Sequence, residues 1–108
     1  MRRGELYRVR DPRDDPKSGR VFVIVSRPEL LKAPFPYAIC APVHSRAHGL
    51  DTQVAVGPAE GLKHDSWVHC DSLTSIRKRF LTDYIGRMRG PRIEALNRGL
   101  VAALELSG

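Results

Sequence analysis

The sequence predicts a mostly β (α+β) fold, in which a small antiparallel barrel of short strands carries a C-terminal α-helix. Two observations lead to this class. Between residues 6 and 88 the apolar residues occur in short runs separated by glycine, proline and polar segments, which is typical of strands joined by turns. Helical spacing of apolar residues is strong only from residue 91 onward. The chain has 108 residues, the size of one domain, and we expect a single domain over 1–108.

The most strongly patterned strand is Val21–Val25, in which every residue is β-branched or aromatic. A run without any polar member indicates a strand that is buried on both faces. Gly19 permits a tight turn into this strand. Pro28 cannot continue a central ladder, so we expect the strand to end near Arg27.

Further segments of strand character occupy most of the chain. They are Leu6–Arg10, Tyr37–Val43, Gln53–Val56, Ser66–Cys70, Leu73–Ile76 and Tyr84–Met88. Pro42 indicates a strand that leaves the sheet near that point. Residues 11–18 have two prolines and no aliphatic or aromatic residue, and they predict a loop that could act as a mobile lid. Glu29–Lys32 could form one helical turn before Pro34 ends it.

The C-terminal segment is the only strong helix candidate in the sequence. Its apolar residues repeat at spacings of three and four, at Ile93, Leu96, Leu100 and Leu104. Pro91 suits the first helical position. Gly99 costs a helix about 1 kcal/mol, which is tolerable if the glycine lets another backbone approach closely. Five to seven short strands with one terminal helix predict a small SH3-like antiparallel barrel.

The charge balance predicts an anionic partner. Eighteen Lys and Arg residues against 12 Asp and Glu give a net charge of +6, and 14 of the 18 are arginine. The arginine bias favours nucleic acid, because guanidinium groups bind phosphate in a bidentate manner and stack on bases. RNA, DNA and an acidic protein are all compatible with this composition.

The sequence lacks the patterns that mark membrane insertion, secretion and zinc binding. It has no apolar run long enough to span a membrane and no signal-peptide pattern, so we expect a cytoplasmic protein without a membrane partner. Cys40 and Cys70 lie inside apolar segments, which predicts buried thiols and no disulfide. A zinc site formed by these cysteines with His44 and His48 is disfavoured because there is no CxxC pair. We expect no metal and no cofactor.

Polar side chains with chemical potential follow the ends of three apolar strands. They are Arg20, the pair His44-Ser45, and His69 with Asp71. If these strand ends meet at one rim, an arginine, an imidazole and a carboxylate suffice to cleave RNA by transphosphorylation. Each residue also has a simpler interpretation, as an arginine at a sheet edge or a surface histidine. The cluster Arg77-Lys78-Arg79 is either a solvated face or a contact for an RNA backbone.

Four segments in order along the chain resemble the MazF/PemK (Kid) toxins of toxin–antitoxin modules. Arg3–Tyr7 is similar to their "RGEIW" start, and Ser18–Ser26 to their "G-x-RP-VVVVS" strand. Cys70–Ile76 resembles "CDQIRTV", and Ile85–Met88, before the last helix, resembles "IGRL". Each motif is weak by itself, whereas four in this order are fairly specific.

The resemblance implies a fold and an activity. The family consists of dimeric, SH3-like-barrel endoribonucleases that cut single-stranded RNA at short sequences without metal. They leave a 2′,3′-cyclic phosphate and a 5′-OH, and an acidic antitoxin neutralises them. We therefore expect an endoribonuclease toxin that is a homodimer, with single-stranded RNA as substrate and an acidic, MazE-like antitoxin as partner.

The resemblance also implies site residues. Arg20 matches the catalytic arginine, and His44-Ser45 falls where members carry the Thr or Ser of the active site. His69 and Asp71 fall where the Kid branch carries an Arg and an Asp assigned to acid and base. Asp14 or Asp15 lies near an acidic position of some members. We expect RNA contacts from Asp15 and from four basic residues, Arg46, Arg77, Lys78 and Arg79.

Three positions depart from the family pattern. Val21 replaces the usual proline after the arginine, His44 stands where threonine is commonest, and Thr74 replaces the arginine of "QIRT". The second departure means that either Ser45 supplies the hydroxyl or His44 itself carries a proton. Two other functions remain as alternatives: a CcdB-like toxin of the same fold that binds DNA gyrase, and a barrel that binds RNA without cutting it.

Overall fold

The computed structural model describes residues 1–11 and 19–106. Within them the chain forms seven strands and two α-helices. In chain order these are β1 (Glu5–Arg8), β2 (Val21–Ile24), α1 (Pro28–Lys32), β3 (Tyr37–His44), β4 (Gln53–Val56), β5 (Ser66–His69), β6 (Thr74–Arg77), β7 (Asp83–Arg87) and α2 (Pro91–Leu104), with short 3-10 helices at Pro58–Glu60, Cys70–Ser72 and Lys78–Phe80. None of the helices in these two ranges is long and apolar enough to cross a membrane.

Every strand that the sequence predicted is present, and most boundaries differ by one or two residues. The strand β1 ends at Arg8 and not at Arg10, and β2 ends at Ile24. The predicted helical turn is α1, which begins at Pro28. The predicted lid loop, with Asp14 and Asp15, falls almost entirely outside the described residues.

The strands form one curled antiparallel sheet in the order β4-β5-β3-β2-β1-β7, with β6 also paired to β3. The long strand β3 therefore organises the sheet. On one side it pairs with β2; on the other side it pairs first with β6, up to Cys40, and then with β5, from Val43. The sequence predicted that the strand leaves the sheet near Pro42, whereas β3 continues to His44 and changes its partner near Pro42 from β6 to β5.

Apolar side chains pack into two clusters, because the two faces of the sheet are both covered. The first cluster lies between the sheet and α2 and contains Leu6, Val23, Ala41, Val54, Val56, Val68, Cys70, Met88 and Leu96. The second cluster contains Tyr7, Val9, Phe22, Ile24, Ala38, Cys40, Ile76, Phe80 and Leu81. Alternate residues of β2 and β3 go to different clusters, as the period of two requires.

Gly99 and the two cysteines behave as the sequence predicted. A Cβ on Gly99 would lie 2.8 Å from Val54 Cγ2 and 3.0 Å from Cys70 Sγ, so the glycine lets α2 approach the sheet. Cys40 and Cys70 are buried and free. Burial raises the pKa of the Cys40 thiol to about 12 and that of Cys70 to about 11, which makes both thiols unreactive near neutral pH.

Candidate active site

Arg20 precedes β2 and His44 ends β3. The last pair of the β2–β3 ladder on this side is Phe22 with Pro42, two residues from each of them. The backbone at Arg20 is still held in the sheet, because the Val9 N–H donates to the Arg20 carbonyl at 2.9 Å. The Arg20 guanidinium is close enough to His44 for its charge to lower the pKa of the imidazole.

Two further imidazoles complete the cluster beside His44. On its other side β3 pairs with β5, where Trp67 is opposite His44 and His69 is the diagonal neighbour. The rings of His44 and His69 meet edge to face, with centroids 4.7 Å apart. The ring of His48 lies 5.9 Å from that of His69. Among the described residues no group of three or more His, Cys, Asp or Glu has the geometry of a metal site.

His44 is held in its neutral form by its surroundings. Burial lowers its pKa below the ordinary value of 6.5, and the nearby His69, Arg20 and His48 lower it further by electrostatic repulsion. A neutral imidazole near pH 7 has a lone pair that can accept a proton, which is what a general base requires.

A hydrogen bond fixes the proton position on His69. Its Nε2 lies 3.1 Å from the backbone carbonyl of Arg46. Because a carbonyl oxygen can only accept, Nε2 carries the hydrogen and donates it. The other ring nitrogen, Nδ1, is then the one available to exchange a proton with a substrate.

The cluster lines an open depression of about 480 Å³ formed by His44, Ser45, Arg46, His48 and His69. Ser45 and Arg46 are exposed residues just beyond the end of β3. The depression is thus bordered by a hydroxyl, a guanidinium and three imidazoles.

Asp71 has a different partner from the one expected at a catalytic site. Its Oδ2 accepts a hydrogen bond of 2.5 Å from the hydroxyl of the buried Thr52. Within the described part of the chain no hydrogen bond or ion pair joins Asp71 to Arg20, His44 or His69. The carboxylate therefore ties the turn after β5 to the start of β4, and it is not shown to touch the imidazole cluster.

The basic cluster Arg77-Lys78-Arg79 lies at the opposite end of β3. Arg77 pairs with Tyr37, the first residue of β3, whereas His44 is the last. Seven residue steps of about 3.3 Å separate these two positions by about 23 Å along the strand. The structure therefore brings Arg20, His44, Ser45, Arg46 and His69 together and keeps residues 77–79 apart from them. Asp15 lies outside the described residues.

Two residues at the site were not singled out for it from the sequence. The sequence indicates His48 only as a disfavoured zinc ligand, whereas in the structure its ring meets that of His69 edge to face. Gln53 accepts a hydrogen bond of 2.7 Å from the His48 N–H through Oε1, and its backbone pairs with His69. The alternation of β4 could have placed Gln53 on the same face as the site only if the pairing with β5 had been known.

Comparisons with known proteins identify relatives of this chain. A family model for PemK-like, MazF-like toxins of type II toxin–antitoxin systems matches residues 2–104. No protein with curated annotation matches the sequence.

Solved structures show the same fold. An endoribonuclease from a mycobacterial species is 24% identical, with a TM-score of 0.82 over 100% of this chain and 94% of that one. A second mycobacterial endoribonuclease, in complex with its cognate antitoxin, is 24% identical, with a TM-score of 0.85 over 100% of this chain and 98% of that one. The Mycobacterium tuberculosis toxin MazF-mt6 is 23% identical, with a TM-score of 0.83 over 96% of this chain and 99% of that one. At these identities the likeness establishes the architecture.

Proposed function

Since the chain belongs to the family of PemK-like, MazF-like toxins of type II toxin–antitoxin systems, we propose that it is an endoribonuclease that cleaves single-stranded RNA without a metal ion. The observation that carries this proposal is the position of His44 between Arg20 and His69, with its pKa lowered. A neutral base, a cationic phosphate ligand and a second imidazole are the groups that transphosphorylation needs.

In the proposed reaction the ribose 2′-oxygen attacks the adjacent phosphorus. His44 removes the proton of the 2′-OH as the new O–P bond forms, and Arg20 binds the phosphate oxygens, on which charge accumulates. The P–O bond to the 5′-oxygen of the next nucleotide breaks, and His69, when protonated, donates a proton to that oxygen from Nδ1. The products are a 2′,3′-cyclic phosphate and a free 5′-OH. Because the nucleophile belongs to the substrate, no hydrolytic water is required for cleavage.

We propose different roles for the two imidazoles. Two protonated rings with centroids 4.7 Å apart repel each other, so the pair favours a single proton. His44 is the ring whose pKa is lowered, so we propose that His44 acts as the base and His69 as the acid. This gives a base and an acid in one site. Ser45 and Arg46 line the depression and are proposed to contact the RNA, and Asp71 positions the turn that follows β5.

The proposal includes two protein partners. A homodimer would join two basic rims into a longer RNA groove, and an antitoxin would cover that groove with an acidic segment that folds on binding. The net charge of +6 favours binding of both the RNA and the acidic segment of the antitoxin. Light scattering that shows a monomer at micromolar concentration would contradict the dimer, and undiminished cleavage with saturating antitoxin would contradict the covered groove.

The decisive experiment incubates the purified protein with mixed-sequence RNA in EDTA. We expect discrete fragments with cyclic phosphate ends, a loss of about 10²–10³ in rate for Arg20→Ala and of about 10²–10⁴ for His44→Ala. His64→Ala is the matched control, because His64 is exposed and outside the depression. Intact RNA with trapped gyrase would support the CcdB-like alternative, and retarded but intact RNA would support binding alone. Parental rates for folded Arg20→Ala and His44→Ala would show that the site is elsewhere.

A further inference from the structure

A small surface of aromatic and basic side chains lies at the start of β3, away from the imidazole cluster. Phe35 is 49% exposed, and its ring lies 6.0 Å from that of Tyr37 in a tilted arrangement. The guanidinium carbon of Arg77 lies 5.0 Å from the centroid of the Tyr37 ring. Arg79 is exposed beside them. We refer to Phe35, Tyr37, Arg77 and Arg79 as the aromatic platform.

The fold holds this platform in a fixed arrangement. Pro34 and Pro36 flank Phe35 and restrict the backbone dihedrals on both sides of it. Tyr37 and Arg77 are direct partners in the β3–β6 ladder. Lys78 stabilises the loop between α1 and β3, because its backbone N–H donates to the Pro36 carbonyl at 2.8 Å. A site that is ordered before binding loses little entropy when a ligand arrives.

Within residues 1–11 and 19–106 the two arginines of the platform contact aromatic rings and no carboxylate. In the described part of the chain neither Arg77 nor Arg79 forms a hydrogen bond or an ion pair through its guanidinium group; each instead lies against an aromatic ring, Tyr37 and Phe80 respectively. The N–H edges of both groups are therefore free to bind phosphate. Arg77 and Arg79 also border a depression of about 390 Å³, together with residues 33–36 and Lys78.

We propose that the aromatic platform is a second contact site for single-stranded RNA, separate from the cleavage site. An exposed phenyl ring beside a tyrosine and two arginines provides stacking faces for bases and ligands for the backbone between them. An acidic peptide would use the two guanidinium groups and would leave the Phe35 ring without a π partner. The proposal rests on the proposed function, because it concerns the same substrate.

The position of the platform determines which RNA can use it. It lies about 23 Å along β3 from His44, and because the two ends of the strand are an odd number of residues apart, Tyr37 and His44 project to opposite faces. An RNA of about three nucleotides bound at the imidazole cluster is too short to reach Phe35. A long RNA can leave the cluster, pass around the sheet and bind the platform.

The test compares cleavage of a short RNA of about three nucleotides with that of a long unstructured RNA that contains the same cleavage sequence. We expect Phe35→Leu to lower kcat/KM for the long RNA about tenfold, since base–aromatic stacking contributes about 1–3 kcal/mol, and to leave the short RNA unchanged. Phe35→Trp keeps the stacking face and should restore the value. Arg79→Ala should also reduce cleavage of the long RNA selectively. Arg98→Ala is its control, since Arg98 is exposed on α2.

Three results would overturn the platform. They are an equal loss on both RNAs, no loss on the long RNA, and a change in the mass of the particle with Phe35→Leu, which would show a contact between protein chains. If the parent protein cuts neither RNA, the proposed function fails separately, and the platform is then tested by retention of the uncut long RNA. In that assay Phe35→Leu should weaken binding about tenfold and Phe35→Trp should not, and equal binding by all three would refute it.

Discussion

Replacement of Lys78 by methionine should destabilise the fold, although Lys78 belongs to the cluster from which the sequence predicted an RNA contact. Its ammonium donates to the carbonyls of Leu30 at 2.7 Å, Ala33 at 3.0 Å and Leu31 at 3.3 Å. These carbonyls lie at the C-terminal end of α1, where a helix leaves acceptors unsatisfied and favours a cation. All three N–H donors of the ammonium are engaged, so none is left for a phosphate.

The magnitude follows from the two shorter hydrogen bonds. A hydrogen bond to a charged group contributes about 1.5–3 kcal/mol, and partial exposure of the ammonium reduces this, so we expect Lys78→Met to lower the free energy of unfolding by about 2–4 kcal/mol. A surface charge without such contacts contributes about 0.5 kcal/mol or less. Lys32→Met is therefore the matched control, because Lys32 is an exposed lysine on the same helix.

Urea unfolding, followed by circular dichroism, measures the difference. The slope of the transition should be the same for the parent and both variants, so that a lower midpoint reports lower stability. If the free energies of unfolding of Lys78→Met and Lys32→Met agreed within about 0.5 kcal/mol, the structural role of Lys78 would be refuted. If Lys78→Met left the stability unchanged and weakened the binding of RNA, the result would instead support the RNA contact that the sequence predicted for Lys78.

Three further predictions concern α2 and the imidazole cluster. Gly99→Ala should lower stability by up to about 2 kcal/mol, because a Cβ 2.8 Å from Val54 overpacks the core at about 1–3 kcal/mol and improved helix propensity returns about 1 kcal/mol; a higher melting temperature would contradict this. Since the folded-state pKa of His44 is lowered from 6.5, its contribution to stability is present above pH 6.5 and is lost as the pH falls through the folded-state pKa. His44→Gln should flatten this acid loss, and identical pH–stability curves for parent and variant would count against it. Arg20→Lys should recover only part of the rate that Arg20→Ala loses, since lysine keeps the charge and not the fork; full recovery in the RNA cleavage assay would exclude a bidentate contact.

The sequence by itself was sufficient for the elements of the fold. Each strand is marked by a local pattern, such as the uninterrupted apolar run at Val21–Val25, and α2 by the spacing of its apolar residues and by Pro91. Even the close approach at Gly99 was visible as a helix position without a side chain. These features depend on neighbours within a few residues, where alternation and helical period act directly.

The composition of the site required the tertiary structure. Arg20, His44 and His69 are far apart in sequence and become neighbours only because β2, β3 and β5 pair in one register. A shift of one residue in that register would turn His44 to the opposite face of the sheet.

Residues that look equivalent in the sequence were also separated by the fold. Lys78 stands between two arginines, yet only its side chain is turned onto the carbonyls of α1, and Asp71 is bound by Thr52, which is distant in the chain. Side-chain partners of this kind depend on non-local packing, and a pattern of residue types along one strand does not contain that information.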